Sequence, residues 1–236
     1  MTSSRRFAKA PQRRNADATR AKILRAALSE FSERGLPAAS TDDIAERCGV
    51  NKRMIYYYFG SKEGLYLAAL ESVFEDLVAL EKEIEVEHLD PPDAIEAMIN
   101  LKIDYYLDNP HFISFLSMEN FYKGRHLRKS TKLKMFKTPL TDVIERILKR
   151  GQRSGHFRQN VDPVDFYISL CALCIMYFSN QHTLGAIFGR QMTTRVNVER
   201  RRRTVVDFVL SYLQMPGSNP LPASRHRGGE LVALVS

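Results

Sequence analysis

What this sequence has little of narrows its class before any motif is read. Three cysteines in 236 residues do not frame a disulfide-stapled fold, and such usage suits a reducing compartment, the cytoplasm. The opening stretch MTSSRRFAKAPQRR carries no apolar core behind its arginines, so no secretory leader is expected. The longest apolar run, Phe166 to Phe178, is too short to span a bilayer and is flanked by Asp162, Asp165 and Asn180, so no membrane partner is expected. No internal repeat and no strand pair stands out. Phosphate loop, nucleophile elbow and paired-carboxylate site are all missing. The six histidines form no four-residue helical pair with another His or a Cys. Neither an enzyme nor a metal or cofactor site is expected. Acids are also in deficit: 27 against 35 basic residues leave a net charge of +8, which favours an anionic partner.

What is present reads as helix. Hydrophobic residues at 44% and charged residues at 26% are ordinary for a globular protein. From about Thr19 to Arg34, Ile23, Ala27 and Phe31 recur four apart, and Gly35 supplies a stop. Ser40 caps a second helix, with Asp43 as its capping partner. That helix ends near Cys48 and Gly49. Asn51 caps a short third helix, which stops before Gly60. Ser61 opens a long fourth one, where Tyr66, Leu70, Val73, Leu77, Leu80 and Ile84 make one apolar stripe. Further helices are expected near 92–108, 111–123, 128–152, 162–181 and 195–214, with a break between Gly185 and Gly189. The reading is an all-α chain: a flexible basic arm over 1–18, a first helical domain over 19–65, a larger helical domain over 66–215, and a mobile tail over 216–236; the motif and the resemblance given next imply DNA binding for the first domain and effector binding and dimerisation for the second.

Two short helices joined by a glycine-bearing turn, in a basic context, are the geometry of a helix-turn-helix. Its second helix enters a major groove about 12 Å wide, with its N-terminal residues nearest the bases. Here that helix begins Asn51-Lys52-Arg53 and continues Ile55-Tyr56-Tyr57-Tyr58-Phe59. Ile55 and Phe59 lie four apart and suit a three-helix core. Tyr56 and Tyr57 turn outward, where a phenol can donate to a phosphate oxygen. Core packing is the competing account of the tyrosines, and Tyr58 is read as structural.

The stretch STDDIAERCGVNKRMIYYYFGSKEGLY (40–66) resembles the DNA-binding domain of TetR-family transcriptional regulators. Ile44-Ala45, Gly49-Val50, the cluster Tyr56 to Phe59 and Ser61-Lys62-Glu63 all fall in register. The resemblance is close over roughly 19–70 and elsewhere extends only to length and helical texture. It implies Ser40, Thr41 and Lys62 at phosphates, Asn51, Lys52 and Arg53 at the start of the reading helix, and Tyr56 and Tyr57 clamping the backbone. Arg53 stands where the family commonly has a small residue, and Cys48 where it has alanine. Gly64 lies in the first turn of the fourth helix, where glycine weakens a helix, and is read as a soft point at the root of the joint.

The resemblance also implies a homodimer on a palindromic double-stranded DNA operator, since two reading helices must meet half-sites about 34–36 Å apart. Residues 164–178 are apolar nearly all round and read as a helix buried on every side. With the last helix they supply Leu170, Cys174, Val205, Phe208, Val209 and Tyr212 as the expected dimer interface. The basic run Arg200 to Arg203 reads as the wet end of that helix. Cys171 and Cys174 are read as small hydrophobes within it, not as a redox pair.

For a small-molecule effector the aromatic segment 109–127 is the candidate. It offers Phe112, Phe115, Met118, Glu119 and Tyr122, with Tyr177 from a later helix. Helical core packing explains the same residues. The segment loosely resembles the branch of the family that represses pyrimidine and nicotinate catabolism, which implies a small aromatic or nitrogen heterocycle as effector and Glu119 at its pocket. Against a ligand-responsive repressor stand an effector-independent architectural DNA-binding protein and a basic membrane-surface protein, the latter lacking an amphipathic helix of the required kind.

Overall fold

The computed structural model describes residues 11–134 and 137–214, so the expected tail and residues 1–10 of the expected arm lie outside it. Among the described residues every regular element is helical. In chain order they are α1 (Pro11–Ala38), α2 (Thr41–Cys48), α3 (Lys52–Phe59), α4 (Lys62–Glu83), α5 (Pro91–Asp108) and α6 (Pro110–Phe121). After a single 3-10 turn (Leu127–Lys129) come α7 (Thr131–Lys134), α8 (Lys137–Arg153), α9 (Pro163–Ser179), α10 (Gln181–Phe188) and α11 (Arg195–Gln214). Among the described residues no single helix is long and apolar enough to cross a membrane.

The first helix begins earlier than its apolar period suggests. Residues 11–18 are helical instead of forming an arm, and Pro11 suits a first helical position because its missing N–H has no partner there to lose. Ile23, Ala27 and Phe31 are fully buried on one face. The backbone leaves helical geometry at Gly35, with φ 70° and ψ 169°, a conformation glycine adopts without a Cβ penalty.

Short-range chemistry sets the next three helix starts. Ser40 Oγ accepts the N–H groups of Asp42 and Asp43 at 3.2 and 3.3 Å. Asn51 Oδ1 accepts that of Arg53 at 2.9 Å, and Ser61 Oγ that of Gly64 at 3.0 Å. Asp43 does not complete a capping box. The N–H of Ser40 goes instead to buried Glu30 of α1 at 3.1 Å, while Asp43 meets Arg34 at 3.1 Å.

Gly64 is not a soft point. A Cβ there would stand 2.1 Å from the Phe59 carbonyl oxygen, so glycine is what lets the end of α3 press against the first turn of α4. Further along, Tyr66 stacks on Phe115 of α6 at 5.2 Å and meets Phe31 of α1 edge-on at 5.3 Å. One aromatic cluster thus belongs to both halves of the chain.

In the larger half α5 is central, contacting α4, α6, α8, α9 and α11. It carries a buried cation. Lys102 pairs with buried Glu81 of α4, and the Tyr167 hydroxyl donates to both Glu81 oxygens at 3.1 and 3.2 Å. Burial pulls the Lys102 pKa down, but Cys171 and the Glu81 carboxylate more than offset this and leave it raised.

The dimer expectations need correcting by residue. Only Phe166, Leu170, Cys174 and Phe178, four apart, are buried on α9, so this helix is not enclosed on every side of the protomer. Leu170 and Cys174 face the protomer's own core, as do Val205 and Val209 of α11, and they present nothing to a second chain. The exposed large apolar positions are Val164, Ile168 and Met176 on α9 with Val196, Phe208 (66% exposed) and Tyr212 on α11. The expected break after Gly185 is a further difference: α10 runs through it and ends at left-handed Gly189 (φ 62°).

Candidate nucleic-acid interface

Ile55 anchors α3 by complete burial, with Tyr58 and Phe59 half-buried against the core. This fixes the rotation of a two-turn helix and so decides what its other side offers. Tyr57 is 79% exposed and Tyr56 also faces out. The Tyr56 hydroxyl lies 3.4 Å from Thr41 Oγ1 at the start of α2, and Thr41 is itself buried. The two hydroxyls hold α2 and α3 in register and orient the Tyr56 ring.

Lys52 and Arg53 open α3. Lys52 Nζ donates to Asp42 at 2.7 Å, and that hydrogen bond raises its pKa. Both side chains are well exposed, so the pair contributes little and a phosphate can displace Asp42. Exposed Arg53 has no side-chain partner among the described residues. Lys62 Nζ donates to the Pro37 carbonyl at 3.1 Å, binding the start of α4 to the end of α1. Arg20 lies 5.1 Å from the centre of the Phe59 ring. Of the eight residues expected at DNA, the fold places seven on α2, α3 and their caps Ser40 and Asn51 and the eighth, Lys62, at the start of α4, with Thr41 and Lys62 engaged in holding the motif together. The sequence reading missed the Thr41–Tyr56, Asp42–Lys52 and Arg20–Phe59 contacts, because each joins different elements.

Phe115, Glu119 and Tyr122 gather around Tyr66 and His126, whereas Met118 and Tyr177 line two different clefts. Phe112 packs among Phe74, Tyr105 and Tyr106, and Phe115 between Phe31 and Tyr66. Glu119 is buried and fully used. Its Oε2 accepts the N–H groups of His126 and Leu127, both at 3.1 Å, and its Oε1 lies 2.6 Å from His126 Nδ1 and 3.3 Å from the Tyr66 hydroxyl. It closes the loop after α6 instead of facing a ligand. Tyr122 packs edge-on to His126. Met118 lines a cleft of about 400 Å³ shared with Ser32 and Gly35 of α1 and with Gln181 and His182 of α10. Tyr177 lines a separate cavity of about 550 Å³ between α9, α10 and α11. Among the described residues no group of three or more His, Cys, Asp or Glu side chains is placed to hold a metal. Burial pushes the Cys174 thiol up to about 12, which leaves it protonated and unreactive.

A tri-helical head with a capped, outward-turned reading helix, joined to a helical body, defines the class. Residues 23–69 match the bacterial regulatory proteins of the tetR family, and residues 91–209 the tetracyclin repressor-like C-terminal domain. The chain belongs to the TetR family of helix-turn-helix, DNA-binding transcriptional regulators. It is 35% identical over 174 residues to the HTH-type transcriptional repressor NicS of Pseudomonas putida, covering 74% of this chain and 82% of that protein. It is 38% identical over 97 residues to the HTH-type transcriptional regulator RutR of Escherichia coli, covering 41% and 45% respectively. The fold is shared with FadR of Bacillus subtilis, solved in complex with stearoyl-CoA, at a TM-score of 0.62 and 17% identity over 82% of this chain and 98% of that one.

Proposed function

We propose that this chain is a homodimeric cytoplasmic repressor whose two α3 helices enter successive major grooves of a palindromic operator, and whose hold on DNA is set by a small-molecule effector. The outer side of α3 carries the reading. Tyr57 stands 79% exposed beside Arg53, whose guanidinium has no partner among the described residues, and a large aromatic left in water next to an unneutralised cation suits a phosphate wall and a base edge. Arg53 reads the operator by donating to guanine O6 and N7. Lys52, Tyr56, Tyr57 and the N–H groups at Thr41 and Lys62 hold phosphates.

The second copy covers Val164, Ile168, Phe208 and Tyr212, which would otherwise leave an apolar patch in water. A ligand-bearing relative in fold, FadR, supports effector control. The operator reading is tested by a salt series on the DNA upstream of the protein's own coding region, with random DNA alongside. Preference surviving at physiological salt is expected. Lys52→Ala should lower affinity on both DNAs and reduce the salt slope by about one, whereas Arg53→Ala should narrow the preference between them. Equal, steeply salt-dependent binding to both DNAs would favour an architectural protein instead.

A further inference from the structure

The cavity of about 550 Å³ between α9, α10 and α11 is built from two unlike sets of side chains. Met176, Tyr177, Leu184, Phe188 and Met192 give it apolar walls, and Arg190, Arg200 and Arg201 give it charge; no acid lines it. Among the described residues none of the three arginines has a carboxylate partner. Arg200 donates to Asn197 Oδ1 at 3.1 Å, and Arg201 donates through Nη2 to the Leu173 carbonyl at 2.5 Å. Arg201 Nε is buried and unpaired, while its guanidinium stands 5.7 Å from the centre of the Tyr177 ring. The Tyr177 hydroxyl is spent on the Met192 carbonyl at 3.0 Å, so the ring offers the cavity a face.

The next arginine along α11 is, by contrast, neutralised. Arg202 meets Asp104 at 2.5 Å and Glu199 at 3.3 Å. Three unneutralised guanidinium groups around an apolar hollow would repel one another unless an anion joins them, and a buried donor left unpaired is costly. We propose that this cavity binds an organic anion with an apolar body, a carboxylate on an aromatic or aliphatic frame. Its charge is held by Arg201 and Arg200, with Arg190 completing the field, and its body lies on Tyr177 and Met192.

The site also has a route to the DNA-binding head. Leu184 and Phe188 of α10 form one wall, and Gln181 and His182 at the other end of the same helix share a cleft with Ser32 and Gly35 of α1. A ligand that draws α10 toward the arginines therefore shifts what α1 leans on. This part rests on the reading of the chain as an effector-responsive regulator.

Calorimetric titration of the full-length dimer with naphthoate and with decanoate tests the site, with neutral naphthamide as the size-matched control. Saturable binding of at least one acid is expected, with the amide at least about tenfold weaker. Arg190→Met, Arg200→Met and Arg201→Met should each weaken the acid by about tenfold or more, the loss of one charge-assisted hydrogen bond. Arg203→Met, on the same helix but outside the cavity, should not. If Arg201→Met fails to fold, the other two variants decide. Should neither acid bind, or should amide and acid bind alike with all variants unchanged, the hollow is only an apolar face for a second copy and the proposal falls. Operator affinity measured in the same samples separates the two readings. Acid binding without any change in operator affinity removes the route through α10 but leaves the site, whereas absence of operator binding by the ligand-free protein removes the regulator reading itself.

Discussion

Glu30 Oε1 accepts the backbone N–H of Ser40 at 3.1 Å, so a carboxylate buried in α1 supplies the second half of the cap that α2 lacks. Arg34 and Arg47 stand 3.5 and 3.4 Å from the same carboxylate. Both arginines are well exposed, which makes the backbone contact the larger contribution.

Glu30→Ala should therefore destabilise the protein by about 1–3 kcal/mol, the cost of stranding a buried donor. Glu30→Gln keeps an acceptor and should lose less. Urea unfolding of both variants is the check, and equal losses would mean that the charge, not the cap, matters.

Gly64 gives the second prediction. With a Cβ 2.1 Å from a backbone oxygen, Gly64→Ala cannot be accommodated by a rotamer change, and a cost of about 1–3 kcal/mol is expected. Operator affinity should fall with it, because the Gly60–Ser61 turn must open and α3 must tilt. A variant that melts higher and binds as before would restore the idea of a flexible joint.

The buried pair between Lys102 and Glu81 behaves differently from a surface one. Lys102→Met should cost about 3–5 kcal/mol, since it leaves a buried carboxylate without its cation. Adding Glu81→Leu should recover most of that loss. Thermal melting of the two singles and the double variant measures it, and simple addition of the two single losses would count against a coupled pair.

Dimer contacts can be separated from core contacts on one helix. Phe208→Asp is expected to leave a folded protomer that no longer pairs, seen by light scattering as half the mass with helical content retained. Val205→Asp, three residues away and buried, should instead cost folding itself, by burying an unpaired charge. If Phe208→Asp remains a dimer, the pairing face lies elsewhere.

Much of this was legible from local pattern. Ile23, Ala27 and Phe31 recur at helical spacing, and Ser40, Asn51 and Ser61 cap their helices through atoms two or three residues away. What stayed hidden depends on other elements. An all-apolar helix such as α9 has no polar face to mark its inside, so Leu170 and Cys174 could not be told from Val164 and Ile168. Glu119 reads as a pocket acid until the turn after α6 brings the His126 and Leu127 N–H groups back onto it. The run Arg200 to Arg203 looks uniform in sequence, yet helical geometry turns its second arginine to α9 and its third to α5. Gly185 looks like a break because of glycine's poor helix propensity, and only the fold shows the turn after α10 coming back onto it, where a Cβ would stand 2.9 Å from the Arg190 carbonyl oxygen.

The aromatic cluster of Phe31, Tyr66 and Phe115 bears on how the molecule transmits force. A head tethered by a loose strap could swivel independently, and a ligand in the body would then have no say over its angle. Here the seam is filled with interlocked rings of α1, α4 and α6, so a rotation of α6 would press on the two helices against which α2 and α3 are packed. The same interlock means that cutting the chain after Leu65 would bare half a socket, and the head alone should be a poor candidate for an autonomous DNA-binding fragment.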